Sequence, residues 1–523
     1  MQDTHKLLMK RVIDKLKRKV GIIDIGSNTT RLVIYVQPQK GVPFKEVENI
    51  KMGVRLRTYL NDEKIVSDEG ISLLIDTLHS FQSLLHHYKV TDITCVATAT
   101  IRQAKNKEEI LHIVQEKTGF SLTLLNEYEE AFYGYTAVTH STDIKEGITV
   151  DMGGGSTEIT YFHNRELIEY CSLPFGSLSL TLDFVKGSVP NDEEKKQLRQ
   201  YVRAQLEGFP WIFNKTAPLI GMGGSARNLA QLHQHLINYP LSGIHQYEMN
   251  VLTIQEIKEK LQSLTLTELQ KLEGLSKERA DTILPSIEVF DILLNSSKAT
   301  QFIISKKGLR EGILYNKIDK QDDSSTSLVD IGIEEIIYDF HINIDNSRQM
   351  FKIANVIVEQ VNKINKMEGY ITKQDRMLLE QAASIFHLGK YLNEESSSHH
   401  TFYLLSNRSI LGLSHRERVK LALVASYKGK RTFRQYIEPF KDWYTKEEQK
   451  KMCLLGSILK VAQSLNITKR NVVDDIKISS KNDGWVMEIR CHGDYKPEEH
   501  RMEKQKKHLE KALKISLTPN FNR

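Results

Sequence analysis

Two short stretches of this chain carry a strand-end aspartate followed by small residues. The first reads Gly21-Ile-Ile-Asp24-Ile-Gly26-Ser27-Asn28-Thr29-Thr30, the second Gly147-Ile-Thr-Val-Asp151-Met-Gly153-Gly154-Gly155-Ser156-Thr157. Small residues let the backbone come close to a ligand, and successive amides in such a turn can point into one concavity and hold an anion. An aspartate at the end of the strand is placed to hold a cation over that anion. The chemistry expected is therefore phosphate binding, with Asp24 and Asp151 facing one cleft. The amides and hydroxyls of Gly26, Ser27, Asn28, Gly154, Gly155, Ser156 and Thr157 form the cradle. A third glycine turn, Leu219-Ile-Gly221-Met-Gly223-Gly224-Ser225-Ala226-Arg227-Asn228, follows a strand and opens a helix. That context favours an anion at the helix N-terminus, and adds Gly224 and Ser225 to the cradle.

The elements that must position these turns follow from hydrophobic periodicity. Residues 20–36 read as two strands around the first turn. Ile71, Leu74, Ile75, Leu78, Phe81, Leu84 and Leu85 mark a helix within 68–88. Thr91–Ala97 reads as a buried strand that runs into the polar loop Thr98–Asn106. A helix over 107–118, a strand at Ser121–Leu125 and a helix through Val138 complete the first half. The second turn restarts the pattern at residue 147. Duplication of the turn predicts a duplicated α/β fold with a phosphate between its halves. The expected boundaries are a basic arm over 1–19, half I over 20–138, half II over 139–318 and a mostly helical region over 319–523. A polar linker is expected near Lys317–Ser327. Within the back region, a β-like stretch (Ile476–Ile478, Trp485–Arg490) and a basic helix (Glu503–Ile515) close the chain.

Six motifs in order, across residues 20–316, carry a resemblance. They are Asp24-Ile-Gly-Ser-Asn, Ala99-Thr-Ile-Arg102-Gln-Ala-Lys-Asn, Glu129-Glu130-Ala131, Asp151-Met-Gly-Gly-Gly-Ser-Thr-Glu158, Gly223-Gly-Ser and Gly308-Leu-Arg310-Glu-Gly312. Together the chain resembles the exopolyphosphatase / guanosine pentaphosphate phosphohydrolase family, of the actin, sugar-kinase and heat-shock-chaperone superfamily. The resemblance implies a duplicated actin-like fold and Mg²⁺-dependent hydrolysis, with Mn²⁺ as the other candidate ion. It places the catalytic base at Glu130, with Glu129 its nearest rival, and a phosphate-contacting arginine at Arg102. Asp151 becomes the metal ligand, with Glu158 assisting; Asp24 binds metal or positions water. Arg31 and Arg310 grip further phosphates. Hydrolysing a terminal phosphoanhydride needs this set: charge neutralisation, a positioned water and a base.

The resemblance to the longer exopolyphosphatases extends to a C-terminal domain like that of the HD phosphohydrolases. Such a site needs a His-Asp pair and a later Asp. Here Phe386-His387-Leu388 and Gln463 stand at those positions, so the domain is expected to be non-catalytic; His399 and His400 are the remaining candidate metal ligands. Two aromatic clusters (Phe132, Tyr133, Tyr135; Phe433, Tyr436, Phe440, Trp443, Tyr444) read as core. The basic clusters Lys428–Arg434 and Lys504–Lys511 suit either a polyanion or a solvated helical face.

Bulk properties narrow the function classes. At 523 residues the chain exceeds a single core. A net charge of +6 does not by itself argue for nucleic-acid binding but suits a polyanionic substrate. No apolar run approaches a membrane span. The four cysteines, Cys95, Cys171, Cys453 and Cys491, have no metal-ligand spacing and fit reduced thiols in a cytoplasm. The expected substrate is inorganic polyphosphate, with guanosine pentaphosphate the same-chemistry rival, and a homodimer is the expected assembly. A polyphosphate- or nucleotide-sensing protein without turnover, and a sugar or acetate kinase, are the readings of other classes.

Overall fold

The structure, a computed structural model, describes residues 18–39, 41–319, 327–363, 370–481 and 484–523. The expected basic arm falls largely on residues 1–17, outside the described residues, as does most of the expected linker. Arg18 and Lys19, assigned to that arm, instead begin the first strand, because each pairs with the neighbouring strand at Gln37 and Val36. The chain divides into two compact units. One runs to Ser325 without 240–243; the other comprises Pro240–Gly243 and Thr326–Arg523.

In the first unit, a five-stranded sheet has the order β3-β2-β1-β4-β5. Its strands are β1 (Arg18–Ile25), β2 (Thr30–Gln37), β3 (Lys45–Met52), β4 (Asp92–Ala97) and β5 (Leu122–Leu124). A second sheet has the order β10-β11-β9-β6-β7-β8. It is built from β6 (Glu146–Met152), β7 (Thr157–His163), β8 (Glu166–Leu173), β9 (Leu219–Met222), β10 (Tyr247–Asn250) and β11 (Gln301–Ile304). In each, the first strand pairs antiparallel with the second and parallel with the strand that returns after a helix: β1 with β2 and β4, β6 with β7 and β9. The halves are thus repeats of one plan, the duplication that the paired turns predict and the actin-like architecture that the resemblance implies, with β10 added at the edge of the second.

Both faces of the central strands are apolar. Ile23, Ile25, Leu32 and Ile34 face the long helix Asp68–Tyr88 through Leu74, Leu78 and Phe81. Val20, Ile22 and Val33 face Ile313 and Leu314 of the helix Leu309–Asp319. Strands buried on both faces read as near-continuous apolar runs, which is why β1 and β6 were legible. Residues Ala99–Gln103, expected as loop, form one short helix.

The second unit packs helices around Lys446–Ser464, whose Leu455, Ile458, Leu459 and Ala462 are buried. Its sheet is β12 (Val473–Lys481), β13 (Gly484–Cys491) and β14 (Ser516–Asn522), in that order. The expected terminal helix is two helices, Lys496–Gln505 and Lys507–Leu513, and the chain then pairs as β14 parallel to β13. Lys514 at φ 58° turns the chain out of helix there. Phe433, Phe440 and Tyr444 are core, as expected.

Candidate active site

The two turns are the same device. Gly26 N–H donates to the Thr29 carbonyl at 3.1 Å, and Gly153 N–H to the Ser156 carbonyl at 3.0 Å. They also touch. A Cβ on Gly154 would lie 3.1–3.2 Å from Ser27 and Asn28, and one on Gly155 would lie 2.8 Å from Ser27 Oγ. Gly154 and Gly155 are therefore small because the first turn presses against them. Thr100 Oγ1 donates to Ser27 Oγ at 2.7 Å and fixes it.

Above the turns lies a cavity of about 360 Å³. Asp24, Gly26, Ser27, Asn28, Arg31, Glu130, Asp151, Gly154, Ser156, Glu158, Gly224 and Arg310 all line it. Gly155, Thr157 and Ser225 lie behind the lining. Thr157 Oγ1 donates to the Phe175 carbonyl at 2.7 Å, and Ser286 Oγ donates to Ser225 Oγ at 2.9 Å. Arg102 reaches the cavity through Glu130, with which it is ion-paired, and donates to the Leu125 carbonyl at 2.8 Å.

Glu130 sits in the first turn of the helix Glu127–Thr139 and is 8% exposed. Its rival Glu129 is occupied in a capping box: Asn126 N–H donates to its carboxylate at 2.9 Å, and Glu129 N–H donates to Asn126 Oδ1 at 2.9 Å. Burial pushes the Glu130 carboxyl well above the usual carboxylate range; Glu158 adds to this and Arg102 opposes it.

Asp151 and Glu158 face each other across β6 and β7, as do Asp24 and Arg31 across β1 and β2. Burial lifts Asp151 to about 6 and Glu158 to about 7, each raised further by a neighbouring carboxylate. Asp24 is bound by Arg310 at 2.6 Å. Among the described residues no cluster of three or more His, Cys, Asp or Glu could hold a metal. Mg²⁺ needs no such cluster. It takes one or two carboxylates and keeps waters and substrate oxygens. Asp151, half-buried at the cavity wall, and Glu158, buried, are both oxygen donors and fit that demand, and Mn²⁺ shares the preference for oxygen.

Sequence reasoning missed most of the cations. Lys51, Arg227, Arg279, Lys306 and Lys307 also line the cavity, giving seven Lys and Arg with Arg31 and Arg310 against four carboxylates. Arg31 is lowered to about 10 by burial and then by Arg310 and Arg227. Arg227 is lowered by burial and then by Arg310. Cations that press on one another in this way mark a place prepared for anionic charge. The Arg279 guanidinium lies over Gly224, 2.6 Å from where a Cβ there would be. Arg227 was within reach of sequence analysis, one turn beyond Gly223 on the helix Gly223–Leu236. Arg279 and Lys51, far away in sequence, carried no local signal.

Duplicated halves with a phosphate-sized, cation-lined cleft define a protein of the actin-like class that handles phosphoryl groups. The chain belongs to the Ppx/GppA phosphatase family: its model matches residues 33–321, and the model for domain III of that family matches 330–511. A solved Aquifex aeolicus member of the Ppx/GppA family is 28% identical over 59% of this chain and all of its own, with a TM-score of 0.52. A second Aquifex aeolicus structure, described as a PPX-GPPA enzyme, is 29% identical over 57% of this chain and 99% of its own, with a TM-score of 0.50. An exopolyphosphatase from Cytophaga hutchinsonii, 20% identical over 59% of this chain and all of its own, shares the fold at a TM-score of 0.54. No helix among the described residues is long and apolar enough to cross a membrane.

Proposed function

We propose that this protein is an exopolyphosphatase, hydrolysing the terminal phosphoanhydride of inorganic polyphosphate. One observation carries the reading: a buried glutamate, Glu130, held by Arg102 at the wall of a cavity lined by seven cations. Lys, Arg, Ser, Asn and Gly make up most of that lining, with Met152 and Leu309 its apolar members. Such a surface suits a run of phosphates better than the flat apolar face of a nucleobase.

In this reading the terminal phosphate lies over the Gly26–Asn28 and Gly154–Ser156 turns, and Arg31, Arg227 and Arg310 neutralise it. Glu130 accepts a proton from a water whose oxygen attacks the terminal phosphorus. The P–O bond to the bridging oxygen breaks, and that oxygen leaves on the shortened chain. Arg102 holds the Glu130 carboxylate in place and moderates its affinity for the proton. Asp151 and Glu158 would hold the Mg²⁺, or Mn²⁺, which when bound supplies charge neutralisation at the transferred phosphate. Asp24, anchored by Arg310, orients that arginine and borders the water. The protein works in the cytoplasm as a homodimer, and its second unit is non-catalytic.

The deciding experiment compares orthophosphate release from long-chain polyphosphate and from guanosine pentaphosphate, each with Mg²⁺. Faster release from polyphosphate is expected. Faster release from the pentaphosphate would make the protein a guanosine pentaphosphate phosphohydrolase, and no release from either would overturn the enzymatic reading in favour of a sensor.

A further inference from the structure

Glu311 follows Arg310 on the helix Leu309–Asp319 and is 6% exposed. It lies behind the cavity wall, whereas Lys306, Lys307, Gly308 and Arg310 line it. Both of its oxygens are taken. Oε2 accepts the Gly308 N–H at 3.0 Å, the bond that a glutamate in the first turn of a helix makes with the residue capping it. Oε1 accepts the Tyr35 hydroxyl at 3.2 Å. Tyr35 is buried on β2, in half I. Burial and then Glu311 raise its pKa, so it stays a donor. A helix cap has no use for that second bond, which spans 276 positions of sequence.

The stretch these bonds hold crosses between the halves. It leaves β11 of half II at Ile304 and enters a helix that lies on half I. Further along, that helix is fixed by other contacts. Lys317 Nζ donates to Thr94 Oγ1 at 2.8 Å, and a Cβ on Gly312 would overlap the Tyr133 carbonyl of the helix that carries Glu130. Its start has less to hold it. Arg310 reaches Asp24 at 2.6 Å, but its Nε is buried without a hydrogen-bond partner among the described residues. A guanidinium held through one nitrogen lacks the orientation that a two-bond grip gives. Burial works against the charge of Glu311, yet Lys307, Arg310 and the Gly308 N–H hold its pKa below the ordinary carboxylate value. A negative charge behind a phosphate cradle opposes the ligand's charge. What Glu311 contributes is therefore the placing of the cations in front of it.

We propose that Glu311 and Tyr35 are positioning residues of the phosphate site: held between β2 and the Gly308 amide, the carboxylate fixes the first turn of the helix and, through it, the Arg310 guanidinium. This rests on the reading of the cleft as a polyphosphate site. Tyr35→Phe tests it, because the ring and the carboxylate stay and only the hydroxyl is lost. Freed of Tyr35, Oε1 turns to Arg310 in competition with phosphate. KM for polyphosphate is expected to rise about 3–10-fold with kcat within about 2-fold of wild type, the split that marks lost ground-state binding. Tripolyphosphate binding, followed by calorimetry with EDTA present, is expected to weaken by the same factor. That factor should shrink in an Arg310→Lys background, because residues that act through one another are not additive. A glutamate that only caps its helix would give equal factors in both backgrounds. An unchanged Kd in Tyr35→Phe, or equal factors, would overturn the proposal, as would a wild type that does not bind tripolyphosphate. A wild type that binds it but releases no orthophosphate from polyphosphate would overturn the activity alone, and the binding comparison would still decide the role of Glu311.

Discussion

Arg31 and Glu158 occupy equivalent places in the two halves, each directly across a strand pair from the aspartate of its own half. The repeat is therefore antisymmetric in charge. In half I the aspartate faces an arginine and is bound by a second, Arg310. In half II the aspartate faces another carboxylate. Two carboxylates side by side repel unless a proton or a cation lies near them, whereas Asp24 is already neutralised. Asp151 should therefore respond to metal more strongly than Asp24. Titration of Mg²⁺ against orthophosphate release checks this. Asp24→Asn is expected to raise the half-saturating Mg²⁺ by roughly 10–100-fold, as loss of an outer partner does, and Asp151→Asn by more.

Glu130→Gln is expected to lower kcat by about 10²–10⁴-fold while leaving the melting temperature unchanged or higher, since a buried carboxyl is replaced by its neutral isostere. A retained kcat would remove Glu130 from the mechanism.

On the proposed mechanism turnover needs the unprotonated Glu130 carboxylate, so activity rises with pH through the Glu130 pKa, which lies well above the ordinary carboxylate value, alongside Asp151 at about 6 and Glu158 at about 7. Arg102 favours the charged form, so removing it raises that pKa further. The acid limb of kcat/KM in Arg102→Gln should move to higher pH. A shift to lower pH would show that the pair does not control the base.

Gly154→Ala tests the contact between turns. Its methyl would meet Ser27 and Asn28 at 3.1–3.2 Å, so the turns must part. The expected cost is about 1–3 kcal/mol in unfolding free energy, with KM rising because both halves of the cradle shift. Thermal unfolding and steady-state kinetics on the same sample separate the two effects.

Acid should loosen the second unit. His387 is lowered to about 3 and His508 to about 4, both mainly by burial. Their folded pKa values lie below the unfolded value of about 6.5. The unfolded chain thus binds more protons between those limits, and stability falls as pH drops below 6.5. For His387 the loss between pH 6.5 and 5 is about 2 kcal/mol. Urea unfolding at the two pH values measures it, and His387→Gln should flatten the dependence.

How far the sequence announced this outcome varies by element. The paired turns and the strands around them were legible because both carry local signals: small residues at a strand end and apolar runs. Glu130, Arg102 and Asp151 were named through their order along the chain; the structure puts Glu130 and Asp151 in the cavity lining and Arg102 behind Glu130. Glu129 and Glu130 were separable only in the structure, where the Asn126 capping box takes one and the cleft the other. Arg279 arrives at the cleft from a 3₁₀ turn, Lys277–Arg279, far from the turns it covers, and no spacing rule reaches that distance. The terminal strand Ser516–Asn522 was missed because its partner, Gly484–Cys491, lies beyond two intervening helices.

The contact between Gly154–Gly155 and Ser27–Asn28 also sets a direction of travel. Where two turns meet this closely the cleft is closed at its floor along their line of contact. On the proposed activity, a chain of phosphates would meet that floor with its end rather than its middle. The packing of glycine against serine would then bear on which bond is presented as well as on how the phosphate is held.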